Sequence, residues 1–255
     1  MSEMTVSAVD HIINLAHQAG HIALKYFNKV TPQQKADRTF LTQADLEIEQ
    51  FLSEALQRAY PTYQLIGEEG ARNSNATSSL DSWVIDPIDG TTAFVQGLPG
   101  WGIAIGLLQA GRPTFGLFYM PLLDDLTYTV GQDDVYCNQR SLMSAVHSDW
   151  PQKGFLAITS TTHFDFEINV KRTRALGSVG ASLVYTARGS ATATFFSKAS
   201  IWDLVAGGAI LQRAGGTLRY LSGQPVNYTD LLEGQSIPEP IIAGHPEILD
   251  QLRAG

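Results

Sequence analysis

Five acidic side chains are the residues best placed to do chemistry. They are Asp45, Glu68, Asp86, Asp89 and Asp203. The densest stretch is Trp83-Val-Ile-Asp-Pro-Ile-Asp-Gly-Thr-Thr-Ala-Phe94. Trp83, Val84 and Ile85 read as a buried strand that ends on Asp86, where a lone carboxylate is costly to bury. Pro87 cannot donate to a sheet ladder, so the strand is expected to stop or bend there. Asp89 follows three positions after Asp86, and Gly90 permits a sharp turn. Thr91 and Thr92 stand where a helix or turn can begin, with free backbone amides. Two carboxylates so close are either solvated or held by a cation. Oxygen donors without nearby Cys or His suit Mg²⁺, Mn²⁺ or Ca²⁺ rather than zinc. A cation beside a Gly-Thr-Thr turn makes a seat for phosphate.

Each remaining acid has a plain alternative reading. Thr42 and Asp45 have the spacing of a capping box, so Asp45 fits the first turn of a helix. Glu68 and Glu69 lie between Gly67 and Gly70, the composition of a solvated turn. Asp203 in Trp202-Asp203 opens a helix, where an Asp can cap the N-terminus. Single spots of this kind are common; their occurrence together is not.

The elements that must position these acids are legible from periodicity. Apolar residues at helical spacing from Val6 to Phe27 predict an amphipathic helix, with His17 and His21 on its solvated face. A second helix is expected from about Ala44 to Tyr60, stopping before Pro61. Gln64 to Ile66 reads as a short strand and Ala71 to Ser79 as a surface loop. Strands are expected at Trp101 to Leu107, Thr114 to Tyr119, Leu126 to Val130 and Val135 to Cys137, a run that implies an antiparallel sheet. Further on, strands at Phe155–Thr159, Thr192–Phe196, Thr217–Leu221 and Ile241–Ala243 alternate with helices. Those helices are expected at Ser182–Ala187, Ile201–Arg213 and Pro246–Leu252, with Ala175 to Gly180 as a link, which points to a second, mixed layer.

Composition narrows the function classes. The 255 residues are 44% hydrophobic and 16% charged, enough core for one large domain or two packed parts. A net charge of −8 disfavours nucleic acid and anionic membrane as partners. An acidic protein that handles phosphate needs cations in its site. Cys137 is the single cysteine, which suits a reducing compartment and reads as structural. The start of the chain lacks the pattern of a signal peptide, and no apolar run reaches membrane-spanning length. A cytoplasmic location is therefore expected.

The chain resembles the inositol monophosphatase family of Mg²⁺-dependent, lithium-sensitive phosphatases. The resemblance rests on Leu41 to Asp45, Gly67-Glu68-Glu69, Trp83 to Phe94, Trp202-Asp203 and Ala214 to Gly216. It implies an α/β (α+β) fold, a layered αβαβα sandwich of the sugar-phosphatase type. An N-terminal part over 1–145 carries most ligands, and a C-terminal part over 146–255 carries Asp203. It also implies two or three Mg²⁺ ions, with Mn²⁺ as a possible substitute. One set is Glu68, Asp86 and the carbonyl of Ile88; another is Asp86, Asp89 and Asp203; a weaker third leans on the Glu68 region. Gly90, Thr91 and Thr92 cradle the phosphate, and Glu68 with an Asp45–Thr91 hydrogen-bonded pair orients the attacking water. Ser178, Gly180, Ala181 and Ser182 face the leaving group, and the protein is a homodimer. The expected reaction is hydrolysis of a small polyol or sugar phosphate, of the inositol 1-phosphate type. Histidinol phosphate, fructose 1,6-bisphosphate and 3′-phosphoadenosine 5′-phosphate are alternative substrates, and a non-catalytic regulatory role is the alternative function. Two departures bear on substrate: the segment Phe195 to Lys198 lacks the acid common in inositol-phosphate enzymes, and Ala93 replaces a frequent Asn.

Overall fold

The computed structural model describes residues 4–35, 40–72, 81–131, 134–142 and 145–252. Most of the expected surface loop at 71–79 lies outside the described residues. In chain order the helices are α1 (Val6–Tyr26), α2 (Gln43–Ala59), α3 (Thr91–Val95), α4 (Thr162–Asp165), α5 (Val179–Ala187), α6 (Ile201–Arg213) and α7 (Pro246–Gln251). The strands are β1 (Gln33–Gln34), β2 (Phe40–Leu41), β3 (Gln64–Gly67), β4 (Ser82–Asp89), β5 (Gly102–Gln109), β6 (Arg112–Met120), β7 (Asp125–Val130), β8 (Asp134–Cys137) and β9 (Arg140–Ser141). They continue with β10 (Leu156–Ile158), β11 (Thr173–Ala175), β12 (Ala193–Phe196), β13 (Thr217–Tyr220) and β14 (Ile241–Gly244).

The first large sheet runs β3-β4-β5-β6-β7-β8-β9. Only β3 and β4 are parallel; the other neighbours are antiparallel, as the run of consecutive strands implied. The second sheet has the order β11-β10-β12-β14-β13, parallel across β11, β10 and β12 and antiparallel thereafter. β1 and β2 form a small separate hairpin.

Burial sorts these elements into five layers. Ile12, Ala16 and Ala19 of α1, with Ile48, Leu52 and Leu56 of α2, pack on Trp83, Ile85, Ile105 and Leu117 of the first sheet. The opposite face of that sheet, through Val84, Ala104 and Phe118, meets α5 and α6 at Leu183, Val184, Val205 and Ile210. The same helices reach the second sheet at Phe196 and Ala243. Its outer face, Leu156, Phe195 and Ile242, is covered by Ile248 and Leu249 of α7. A helix buried on two sides must be apolar nearly all round, and α6 is: all but four of its residues are buried, with Gly207 and Gly208 among them. The order helix, sheet, helix, sheet, helix is the expected αβαβα sandwich.

Several local expectations shift. β4 does not stop at Pro87. It continues to Asp89 through a register jump between Asp86 and Asp89, because a bulge absorbs the missing donor of Pro87. α5 begins at Val179 rather than Ser182, because Ser178 caps it by accepting the Ala181 amide. Asp203 is the third residue of α6, and Ser200 occupies the cap position. Thr173 to Ala175 is an edge strand although the sequence there is polar and charged, since pairing with β10 decides it. His17 packs edge-on to Tyr119, its ring centroid 4.9 Å away, so it serves the α1 interface. Cys137 lies half-buried in β8 as a free thiol.

Candidate active site

The site begins at the bulge of β4. The Asp86 carboxylate turns back to accept the Ile88 amide at 3.0 Å. This local bond directs Asp86 and Asp89 towards the same cleft, although a regular strand places residues three apart on opposite faces. Gly90 follows at φ +91°, the left-handed region open to glycine. A side chain there meets Ser178 Cβ at 2.8 Å and the Gly177 carbonyl at 2.9 Å. The chain then enters α3, whose first-turn amides have no partner within the helix.

The C-terminal half closes on this point through α5. The Gly180 amide donates to Asp89 Oδ2 at 2.6 Å. A carboxylate at a helix N-terminus is where the helix dipole favours it. α6 supplies Asp203, which accepts the Ser200 amide as the acid of a capping box. Asp86, Asp89 and Asp203 thus each offer an oxygen within 4.8 Å of the others.

Burial of like charges perturbs all three acids. Desolvation raises Asp86 well above the usual carboxylate range, with Glu68, Asp89 and Asp203 adding repulsion. Burial likewise raises Asp203, with Asp89 adding to it. Asp89 reaches only about 7, since the Gly180 amide and the Ser178 hydroxyl oppose its burial. Such a cluster is stable in charged form only with a cation among its oxygens. The donor set is oxygen alone and suits a hard divalent ion, so these three residues could hold a metal.

Glu68 reaches the cluster from the turn after β3. Its charge adds to the repulsion on Asp86, and its Oε1 accepts from Lys35 Nζ at 2.9 Å. Lys35 also donates to Glu69 Oε1 at 2.6 Å. Burial pulls the Lys35 ammonium down, but the two glutamates outweigh it and the pKa ends raised. Glu69 is pushed up to about 7, by burial first and by Glu68 second. Glu49 accepts from the Glu69 amide with one carboxylate oxygen and from the Ala71 amide with the other, both at 2.8 Å.

The cleft encloses about 910 Å³. Glu68, Asp86, Ile88, Asp89 and Asp203 form its acidic end, with Gly90, Thr91 and Thr92 beside them. Its other walls come from Phe40, Phe155 and Ile158, the hydroxyls of Thr159 to Thr161, and Leu176 to Val179. Gly180, Ala181 and Ser182 sit one turn behind that wall. The Gly180 amide is spent on Asp89, Ala181 is fully buried, and the Ser182 hydroxyl donates to the Ser178 carbonyl at 2.7 Å. The wall is therefore made by the residues just before them.

Asp45 and Thr91 do not make the expected pair. The Thr91 hydroxyl donates to the Ile88 carbonyl at 3.1 Å. Asp45 is fully buried, and its Oδ2 accepts both the amide and the hydroxyl of Thr42, at 2.7 and 2.6 Å. Its Oδ1 has no partner among the described residues. Burial raises Asp45 to about 6, against the pull of Thr42.

Sequence reading passed over Lys35 and Glu49. Glu49 carried a signal: it follows Asp45 by one helical turn and so points to the same side of α2. Lys35 meets the acids only through tertiary contacts.

Comparison with known proteins agrees with this geometry. The sequence pattern of the Inositol monophosphatase family matches residues 4–250. Inositol monophosphatase 1 of Bos taurus is 30% identical over 246 residues, covering 88% of this chain and 87% of that protein. Nus factor SuhB of Xylella fastidiosa is 29% identical over 229 residues, covering 84% and 82%. Among solved structures, the extragenic suppressor protein suhB of Bartonella henselae aligns at a TM-score of 0.83 over 96% of both chains, with 22% identity. An IMPase of Thermotoga maritima also gives 0.83, over 96% and 95%, at 23% identity. A layered α/β sandwich with an oxygen-only acid cluster at its cleft, together with these relatives, defines a phosphoric monoester hydrolase. The chain belongs to the inositol monophosphatase family. Among the described residues no helix is long and apolar enough to cross a membrane.

Proposed function

We propose that the protein is a Mg²⁺-dependent phosphatase for a small polyol or sugar phosphate monoester of the inositol 1-phosphate type. The observation that carries this reading is the convergence of Asp86, Asp89 and Asp203 within 4.8 Å, from two elements far apart in the chain. Glu68 and the Ile88 carbonyl complete the ligand set, and Mn²⁺ is an acceptable substitute. When bound, divalent cations supply charge stabilisation at the phosphoryl oxygens and make water more acidic.

The chain's own groups do the rest. The carboxylate of Glu68, held on one side by Lys35, receives the proton of the attacking water. Thr91 anchors the end of β4 through the Ile88 carbonyl. Amides of Gly90, Thr91 and Thr92 face the developing charge on the phosphate. Phe155, Ile158 and the hydroxyls of Thr159 to Thr161 bound the space for the alcohol product. The protein acts as a cytoplasmic homodimer inhibited by lithium, without nucleic acid or membrane partners.

The test is phosphate release by purified protein with Mg²⁺ on inositol 1-phosphate, histidinol phosphate, fructose 1,6-bisphosphate and 3′-phosphoadenosine 5′-phosphate. Release from the first, lost in chelator, is expected; release from another reassigns the substrate. Silence on all of them overturns the catalytic reading. A second reading, a regulatory protein, is favoured by the 29% identity to Nus factor SuhB. It predicts a protein partner and no turnover.

A further inference from the structure

We infer that Glu49 is the positioning residue for Glu68, setting the affinity of the site for its metal without touching metal or substrate. The inference rests on the reading of Glu68 as a metal ligand. Glu49 projects from α2, only 5% exposed, under the turn that carries Glu68. One carboxylate oxygen accepts the amide of Glu69 and the other that of Ala71, each at 2.8 Å. The turn also closes on itself, the Gly67 amide donating to the Ala71 carbonyl at 2.9 Å. Gly67 leaves the room: a Cβ there meets Glu49 Oε2 at 2.5 Å.

A buried carboxylate is a costly way to fill space. Burial raises the Glu49 pKa, and Glu68 raises it further, while the two amides oppose this. An apolar side chain avoids the charge but strands two buried N–H groups. Glutamine accepts through one atom only, and its NH₂ end meets one of the two amides donor to donor. Only a carboxylate satisfies both, and the peptide that it grips on the Glu69 side is the one following Glu68. Lys35 holds the Glu68 side chain from the other side. Glu49 therefore fixes the main chain and Lys35 the carboxylate. Groups that orient a metal ligand in this way typically change metal affinity by about 10–100-fold when altered.

The experiment is Mg²⁺ binding by calorimetry, and Mg²⁺ dependence of turnover, for wild type and Glu49→Gln. The expected result is an Mg²⁺ Kd about 10–100-fold higher in the variant, with kcat recovered at saturating Mg²⁺. Wild-type Mg²⁺ affinity in Glu49→Gln, or a loss of kcat that saturating Mg²⁺ does not restore, overturns the inference. Should the variant not fold, amide hydrogen exchange in the wild type decides. Protection of the Glu69 and Ala71 amides in metal-free protein supports the clamp, and rapid exchange of both overturns it. A wild type that binds no Mg²⁺ instead defeats the assignment of Glu68 as a ligand, a separate failure.

Discussion

Gly180→Ala probes the close packing of α5 on the first sheet beside Asp89. Gly180 lies in the first turn of α5, with its amide on Asp89 Oδ2 at 2.6 Å. A Cβ built there falls 2.4 Å from Phe118 Cε2 and 2.5 Å from Asp89 Oδ2. Phe118 is fully buried in β6 and cannot swing into solvent, so α5 or Asp89 must move. Overpacking of this kind costs about 1–3 kcal/mol. Weakening a hydrogen bond to a carboxylate adds roughly 1.5–3 kcal/mol. In a chain of this size each kcal/mol lowers Tm by about 2–4 °C, so a fall of roughly 5–24 °C is expected in chelator. Displacing Asp89 also spoils the ligand set, so Mg²⁺ recovers less of the lost Tm than in wild type. Thermal unfolding with and without Mg²⁺ reads both effects. A variant that melts like wild type and responds equally to Mg²⁺ refutes the close-contact argument.

Three further predictions follow from the electrostatics. Asp203→Asn removes one of three mutually repelling acids, so the metal-free protein melts higher than wild type while phosphatase activity drops on the order of 100-fold or more; a parallel fall in both contradicts the repulsion. Lys35→Met leaves Glu68 and Glu69 without their cation, lowering metal-free stability by roughly 1–3 kcal/mol and tightening Mg²⁺ binding, which denaturant melts and calorimetry measure. Stability of the metal-free protein should fall as pH rises. Burial lifts Asp45 to about 6 and Asp89 to about 7 when folded, above the ordinary 3.8, so the folded state holds extra protons in that interval. Their contribution is complete below pH 4 and lost through pH 6–7, at most about 3 kcal/mol for Asp45 alone. Mg²⁺ should accordingly raise Tm more at pH 8 than at pH 5, and equal shifts disprove the coupling.

Much of this protein is written in local pattern. Helical periodicity marks α1, α2 and α6 because each buries one face or nearly all of itself, and such burial is visible as apolar spacing. The capping box at Thr42 and Asp45 is a short-range bond and so follows from residue types alone. The string from Trp83 to Phe94 likewise encodes its own bulge and turn, since Pro87 removes a donor and Gly90 admits a left-handed backbone. Tertiary structure alone decided how the acids are satisfied. That Asp89 rests on the start of α5, that Lys35 spans Glu68 and Glu69, and that Glu49 grips the turn beneath them are contacts between distant segments. The edge strand β11 also depended on a partner across space. Side-chain types and spacing fix which groups can carry charge and where a helix or turn can form. Which buried charge meets which donor depends on packing between layers, because the cost of a carboxylate is set by the groups that surround it.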